Sequence, residues 1–126
     1  MTETTQATLY QRLGGYDAIA AATDYLLARL MADPQLRDFW KGASSDNRRH
    51  ARQLIVDFMV EASGGPAYYT GRDMKLSHDG MHISPTDWDA FMRHSEAMLD
   101  HVGVTDPERG EVLAFFTSLE ADIVER

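Results

Sequence analysis

The chain contains no cysteine. That excludes disulfides, iron–sulfur clusters, thiolate-ligated haem, haem linked through thioethers, and any zinc site built on cysteine. It also lacks a long apolar run. No stretch approaches the roughly 20 residues of a membrane-spanning helix, and no apolar segment follows a basic amino end in the manner of a secretory leader. The expectation is a cytoplasmic protein with no membrane partner. Cations are scarce: 12 Lys and Arg face 20 Asp and Glu, leaving a formal net charge of −8. Binding to a nucleic-acid backbone needs clustered cations. Arg48, Arg49 and Arg52 form only a small patch, which reads as a solvated helix face. There is no internal repeat, low-complexity tract or linker, so residues 1–126 read as one domain with a loose polar start over 1–7. No segment alternates with period two, which points to an all-α fold.

What is present is helical patterning. After Gly14-Gly15, the residues Ile19, Ala22, Leu26, Leu27, Leu30 and Met31 recur at i, i+3, i+4 spacing, and Asp33-Pro34 should end that helix. Leu36, Phe39 and Trp40 form a short turn heavy in aromatics, and Gly42 to Asp46 a polar connection. The next helix spans 45–62, with Ala51, Leu54, Ile55, Phe58, Met59 and Ala62 as its buried stripe. Gly64-Gly65-Pro66 stops it. Residues 66–73 read as extended loop and 74–79 as a short helix broken by Gly80. Ser84-Pro85 opens a long helix, with serine as cap and proline at its first position. Trp88, Phe91, Met92, Ser95, Met98, Leu99 and Val102 lie on one face, and Gly103 ends it. Thr105 with Glu108 has the form of a capping box for a last helix over 106–125. Its apolar face carries Val112, Phe115, Phe116, Leu119 and Ile123. Hydrophobic residues make up 44% of the chain, enough for one core, including a core that surrounds a cofactor.

The most telling stretch runs Gly64-Gly65-Pro66-Ala67-Tyr68-Tyr69-Thr70-Gly71-Arg72-Asp73-Met74-Lys75-Leu76-Ser77-His78, with Ile83 beyond. It places one histidine on a short helical segment after a glycine-punctuated loop. Apolar helices lie on both sides, an arrangement suited to gripping a flat hydrophobic cofactor through its metal. The stretch resembles the truncated haemoglobins, most closely their group I branch. In that family a Gly-Gly-Pro-x-x-Tyr-x-Gly-x-x-Met-Lys-x-x-His pattern leads to the proximal histidine on haem iron. Gly14-Gly15 matches the family's early glycine pair, and the resemblance extends from about Leu9 to Val124. It implies a two-over-two helical sandwich around haem, helices 16–33 and 45–62 crossing helices 84–102 and 106–125.

On this resemblance His78 is the proximal ligand. A neutral imidazole suits haem iron and leaves the sixth position open. Its other nitrogen should donate to a backbone carbonyl, with Met74 as candidate acceptor. Arg72 and Lys75 either pair with haem propionates or are ordinary surface charge. Tyr69 either packs at the cofactor edge or anchors the loop. Trp40 stands where the family usually has phenylalanine, and with Phe39 it would wedge against the porphyrin. Phe58, Met74, Ile83, Trp88 and Phe91 are expected porphyrin contacts. The distal side departs from the pattern. The family's oxygen-binding tyrosine falls on Leu27, its glutamine on Ile55, and a gate position one turn earlier on Ala51, with Leu54 beside them. All are apolar, so oxygen affinity should be modest or autoxidation faster, while carbon monoxide and nitric oxide depend less on a donor. His50 is either an exposed histidine among arginines or rotates inward as distal donor or sixth ligand. Tyr25, about 200° around the helix from Leu27, should point away, and Gln53 lies out of register. His78 with His82 has zinc-like i, i+4 spacing, but Gly80 intervenes. His94 and His101 read as solvated.

The implied function is a haem b protein, a monomer or weak dimer, that reversibly binds oxygen, carbon monoxide or nitric oxide, in oxygen transport or storage, or in sensing. Alternatives within the resemblance are a nitric oxide dioxygenase with a separate reductase, a peroxidase-like enzyme using His50 as acid/base, and a six-coordinate redox protein or sensor. From another class, a haem-free helical interaction module would be colourless.

Overall fold

The structure, a computed structural model, describes residues 7–41 and 44–125, and the regular elements among them are all helical. Residues 1–6 of the loose start expected over 1–7, and Gly42 and Ala43 of the polar connection, lie outside the described residues.

Helix α1 (Leu9–Leu13) was not foreseen, because five residues are too few to show a period. A capping box between Thr8 and Gln11 starts it and Gly14, at φ +107°, ends it. Glycine is favoured there on two grounds: the left-handed backbone, and a Cβ that would lie 3.0 Å from that of Ala18. Arg12 ties α1 to Glu108 and Glu111, far along the chain.

Helix α2 (Tyr16–Ala32) buries Ile19, Ala20, Thr23, Leu26, Leu27 and Leu30. It stops at Asp33, whose extended backbone is what a following proline enforces. A 3₁₀ turn (Arg37–Trp40) follows. Helix α3 (Ser45–Ala62) is capped by Ser44, which accepts from the Asn47 N–H. Its fully buried residues are Val56 and Val60 rather than the expected stripe. Val56 and Val60 pack on Ile19 and Ala20 of α2. Leu54, Ile55, Phe58 and Met59 are half-buried, and Ala51 and Ala62 exposed. The apolar residues of α3 thus serve two faces, one toward α2 and one toward a cavity. A single periodic stripe merges the two.

Helix α4 (Met74–His78) is capped by Asp73 and ends one residue earlier than expected. Helix α5 (Pro85–His101) starts as its sequence dictates: Ser84 and Asp87 form a reciprocal capping box with proline at the first turn. Trp88, Ala90, Ser95, Met98 and Leu99 are its buried residues. The last expected helix divides into α6 (Glu108–Ser118) and α7 (Glu120–Ile123). At the break, the hydroxyls of Thr117 and Ser118 donate to the carbonyls of Leu113 and Phe115, a local pairing that competes with helix continuation. The Thr105–Glu108 capping box does not form. The Asp106 carboxylate caps instead, accepting from the Gly110 N–H at 3.0 Å.

Helices α2 and α3 pack on each other, α2 crosses α5, α5 pairs with α6 and α4 leans on α7, while Phe58 of α3 meets Phe115 of α6. This is the two-over-two arrangement. The main core gathers Leu26, Leu27, Leu30, Leu36, Ala90, Met98, Leu99, Val112 and Phe116. Among the described residues no helix is long and apolar enough to cross a membrane.

Candidate functional site

A cavity of about 340 Å³ opens between the α2–α3 pair with its 3₁₀ turn and the α4–α7 pair, with the start of α5 at one side. Its wall is almost wholly hydrocarbon and aromatic. Of the residues expected at the site, the structure brings together Leu27, Trp40, Ala51, Leu54, Ile55, Phe58, Tyr69, Met74, His78, Ile83, Trp88 and Phe91. Arg72, Lys75 and His50 are exposed and outside this lining. Tyr25 does turn away, its ring stacking on His101 at 3.9 Å. Gln53 likewise faces elsewhere, donating to the Tyr16 hydroxyl and to Asp57.

His78 is placed by three local devices. Asp73 caps α4 by accepting from the Leu76 N–H at 2.8 Å. The Ser77 hydroxyl donates to the Asp73 carbonyl at 2.8 Å, so it is spent inside the helix. The His78 Nδ1 lies 2.8 Å from the Met74 carbonyl. A carbonyl only accepts, so Nδ1 carries the proton and Nε2 keeps its lone pair. That Nε2 has no hydrogen-bond partner among the described residues.

The loop before α4 is pinned by Tyr69. Its hydroxyl donates to the Arg72 carbonyl, and burial pushes its pKa up, with the Asp73 charge adding to the shift. Tyr69 therefore anchors the loop while its ring lines the cavity. Its ring meets Phe58 edge-on at 5.2 Å. Gly71 is glycine because a Cβ there would sit 2.6 Å from the Tyr69 Cζ.

Behind His78, the chain is stapled by its own carboxyl-terminal segment. The His82 N–H donates to Glu125 at 2.6 Å and the Glu125 N–H to the Ile83 carbonyl at 2.8 Å. His82 is off the helix at φ +57°, so it shares no helical face with His78. Among the described residues no group of three histidine or carboxylate side chains is placed to hold a metal ion.

On the far wall, Gln35 donates to Asp87 at 3.0 Å and joins the segment before the 3₁₀ turn to the start of α5. Burial alone would raise the Asp87 carboxyl, but the Ser84 N–H, the Gln35 amide and the Ser84 hydroxyl together hold it below its usual value. Nearby, His94 is not solvated as expected. Arg29 Nε donates to its Nδ1 at 3.1 Å, and its Nε2 donates to Asp33 at 2.6 Å. The hydrogen bond from His94, then the Gln35 N–H, depresses the Asp33 pKa. The signal for this pairing lies in no local pattern, since Asp33 and His94 meet only when α2 crosses α5.

The lining also includes residues not singled out as site residues: Leu30, Leu36, Met59, Ser77, Met81, Asp87, Leu119 and Ile123. Most had been visible as core stripe. Asp87 had no sequence signal beyond its place three residues after Ser84. A second apolar cavity of about 320 Å³ adjoins the first, and Leu27, Leu30, Ile55, Met59 and Phe91 line both.

The bacterial-like globin family model matches residues 8–125. The group 1 truncated haemoglobin of Tetrahymena pyriformis is 33% identical over 99 residues, covering 79% of each chain. That of Mycolicibacterium paratuberculosis is 32% identical over 117 residues, 93% of this chain and 84% of the relative. The solved Tetrahymena pyriformis truncated haemoglobin in its Fe(III) form superposes with a TM-score of 0.85 at 29% identity, covering 95% of this chain and all of that one. A haemoglobin from Chloroflexus aurantiacus gives 0.83 at 26% identity, over 96% and 100%. The chain belongs to the bacterial-like globins, among the truncated haemoglobins. Membership implies a haem cofactor and diatomic gases as ligands. The residues fit that group: the wall is apolar, and the one unpaired imidazole nitrogen stands on it with its tautomer already set.

Proposed function

We propose that this chain is a haem b protein that reversibly binds a diatomic ligand, with His78 Nε2 as the axial ligand. The observation that carries the reading is the Met74 carbonyl on His78 Nδ1. That contact fixes the ring's tautomer and orientation and raises the basicity of the nitrogen left free. Haem would supply a ferrous iron with an open sixth position, where a gas binds. Phe58, Met74, Ile83, Trp88 and Phe91 would hold the ring by burial. Arg72 and Lys75, exposed on either side of Met74, would meet its carboxylates at the rim. His50 stands outside the lining, which favours a five-coordinate resting state.

The wall that α2 and α3 contribute carries no hydrogen-bond donor, so ligands that need little polar stabilisation are favoured on that side. Redox turnover would draw electrons from a separate reductase. A cytoplasmic location, a single domain over 1–126 and a monomer or weak dimer belong to the same reading. The test is reconstitution with haemin. The wild type should gain a strong band near about 400 nm, as histidine-ligated haem does, and His78→Ala should lose or shift it while remaining helical. A wild type that gains no such band would refute the proposal.

A further inference from the structure

We propose that the Trp40 indole N–H is the hydrogen-bond donor to a ligand in this cavity and sets how long oxygen is retained. The inference rests on the haem reading above and adds a donor that α2 and α3 do not supply.

Elimination over the cavity wall leads to it. Every side chain that α2 and α3 bring to the cavity is aliphatic, methionine or phenylalanine. The segment between them adds Leu36, Phe39 and Trp40, and of these only Trp40 carries an N–H. Elsewhere the donors are committed. Tyr69 donates to the Arg72 carbonyl, Ser77 to that of Asp73, and His78 Nδ1 faces that of Met74. The Trp40 indole has no acceptor among the described residues. Trp88, on α5, also has an uncommitted indole and is the rival donor.

The turn that holds Trp40 is braced. Leu36 is 4% exposed, and its N–H donates to the Asp33 carbonyl at 3.0 Å. Phe39 N–H donates to the Leu36 carbonyl at 3.1 Å and Lys41 N–H to that of Asp38 at 3.2 Å. Gln35 clamps the segment to Asp87. A donor fixed before the ligand arrives needs no reorganisation to act. Haem iron would lend dioxygen negative charge, and in this apolar cavity water would not screen it. A single N–H there then counts for more than it would in solvent. Carbon monoxide gathers much less charge, so the same N–H discriminates between the two gases.

The experiment compares haem-reconstituted wild type with Trp40→Phe, which keeps an aromatic ring and removes the N–H. Trp88→Phe and His50→Ala test the rival donors. Oxygen release by stopped flow should be about tenfold faster in Trp40→Phe, equivalent to 1.4 kcal/mol. Carbon monoxide release should change little, and the C–O stretch of the CO form should rise in frequency. His50→Ala should match the wild type, and Trp88→Phe, a change at a haem contact, should keep the D₂O shift of the oxygen stretch that Trp40→Phe loses. As a measurement independent of any variant, the oxygen stretch of the wild type should shift in D₂O. Unchanged oxygen release and C–O stretch in Trp40→Phe overturn the proposal, as does an effect appearing instead in Trp88→Phe or His50→Ala, or no shift in D₂O. A wild type that takes up no haem overturns the haem reading itself, and this donor with it.

Discussion

Gly71 offers a sharp test of how the loop before α4 is held. Substitution by alanine puts a Cβ 2.6 Å from the Tyr69 Cζ and in overlap with its hydroxyl. The ring must move, and the hydroxyl then leaves the Arg72 carbonyl. Overpacking of this kind costs about 1–3 kcal/mol, and the lost hydrogen bond adds about 0.5–1.5 kcal/mol. Gly71→Ala should therefore destabilise by about 2–4 kcal/mol, a large share of the roughly 5–15 kcal/mol typical of a folded domain. Tyr69→Phe alone should cost about 1 kcal/mol. The double variant should cost less than the sum by about 1 kcal/mol, because both changes remove the same hydrogen bond to the Arg72 carbonyl, while the ring carbons of residue 69 still overlap the new Cβ. Urea denaturation followed by circular dichroism gives all the values for such a cycle. The reasoning fails if Gly71→Ala is neutral, or if the two changes add without coupling. The same cycle read by haem transfer to a scavenger globin should show faster haem loss from Gly71→Ala, since the loop leads directly into His78.

At the start of α6, Asp106→Ala should destabilise by about 1 kcal/mol through loss of the cap on Gly110, whereas Thr105→Ala should stay within about 0.5 kcal/mol; thermal unfolding of both decides which residue caps. Arg12 holds the Glu111 carboxyl below the ordinary glutamate value through its hydrogen bonds. The resulting stabilisation is present above that ordinary value and is lost as pH falls through the lower folded one. Glu111→Gln should therefore lower the Tm at neutral pH, and the gap should close in acid. The effect is modest because the pair is solvent-screened, and it should shrink further in high salt. A Tm difference that stays constant down to about pH 2, below the usual carboxylate range, would show that Glu111 acts by some other route.

Much of the fold was legible because its signals are local. Ser84-Pro85 starts α5 where cap and proline say it must, and Asp33-Pro34 ends α2 for the stated steric reason. The glycine-punctuated run to His78 was legible because backbone turns and a one-turn contact to Met74 depend on near neighbours alone. The errors have physical sources too. Thr105 and Glu108 had the right spacing for a cap, but it is the Asp106 carboxylate that accepts from the Gly110 N–H. The helix beyond residue 106 looked continuous because hydrophobic spacing does not register hydroxyls that bond back to the preceding turn. Val56 and Val60 were passed over on α3 because the helix is apolar on two sides, and only the packing of α2 shows which side is dry. The bond from His94 to Asp33, 61 positions apart, was invisible until the helices crossed.

The attachment of Glu125 to His82 and Ile83 gives the last described residues a mechanical role. Leu119 and Ile123 form part of the cavity wall, and the strand of chain after them is buttoned to the backbone just beyond His78. Force or fusion applied at that end pulls on the histidine's own support. A label placed there reports on how firmly the segment around His78 is held.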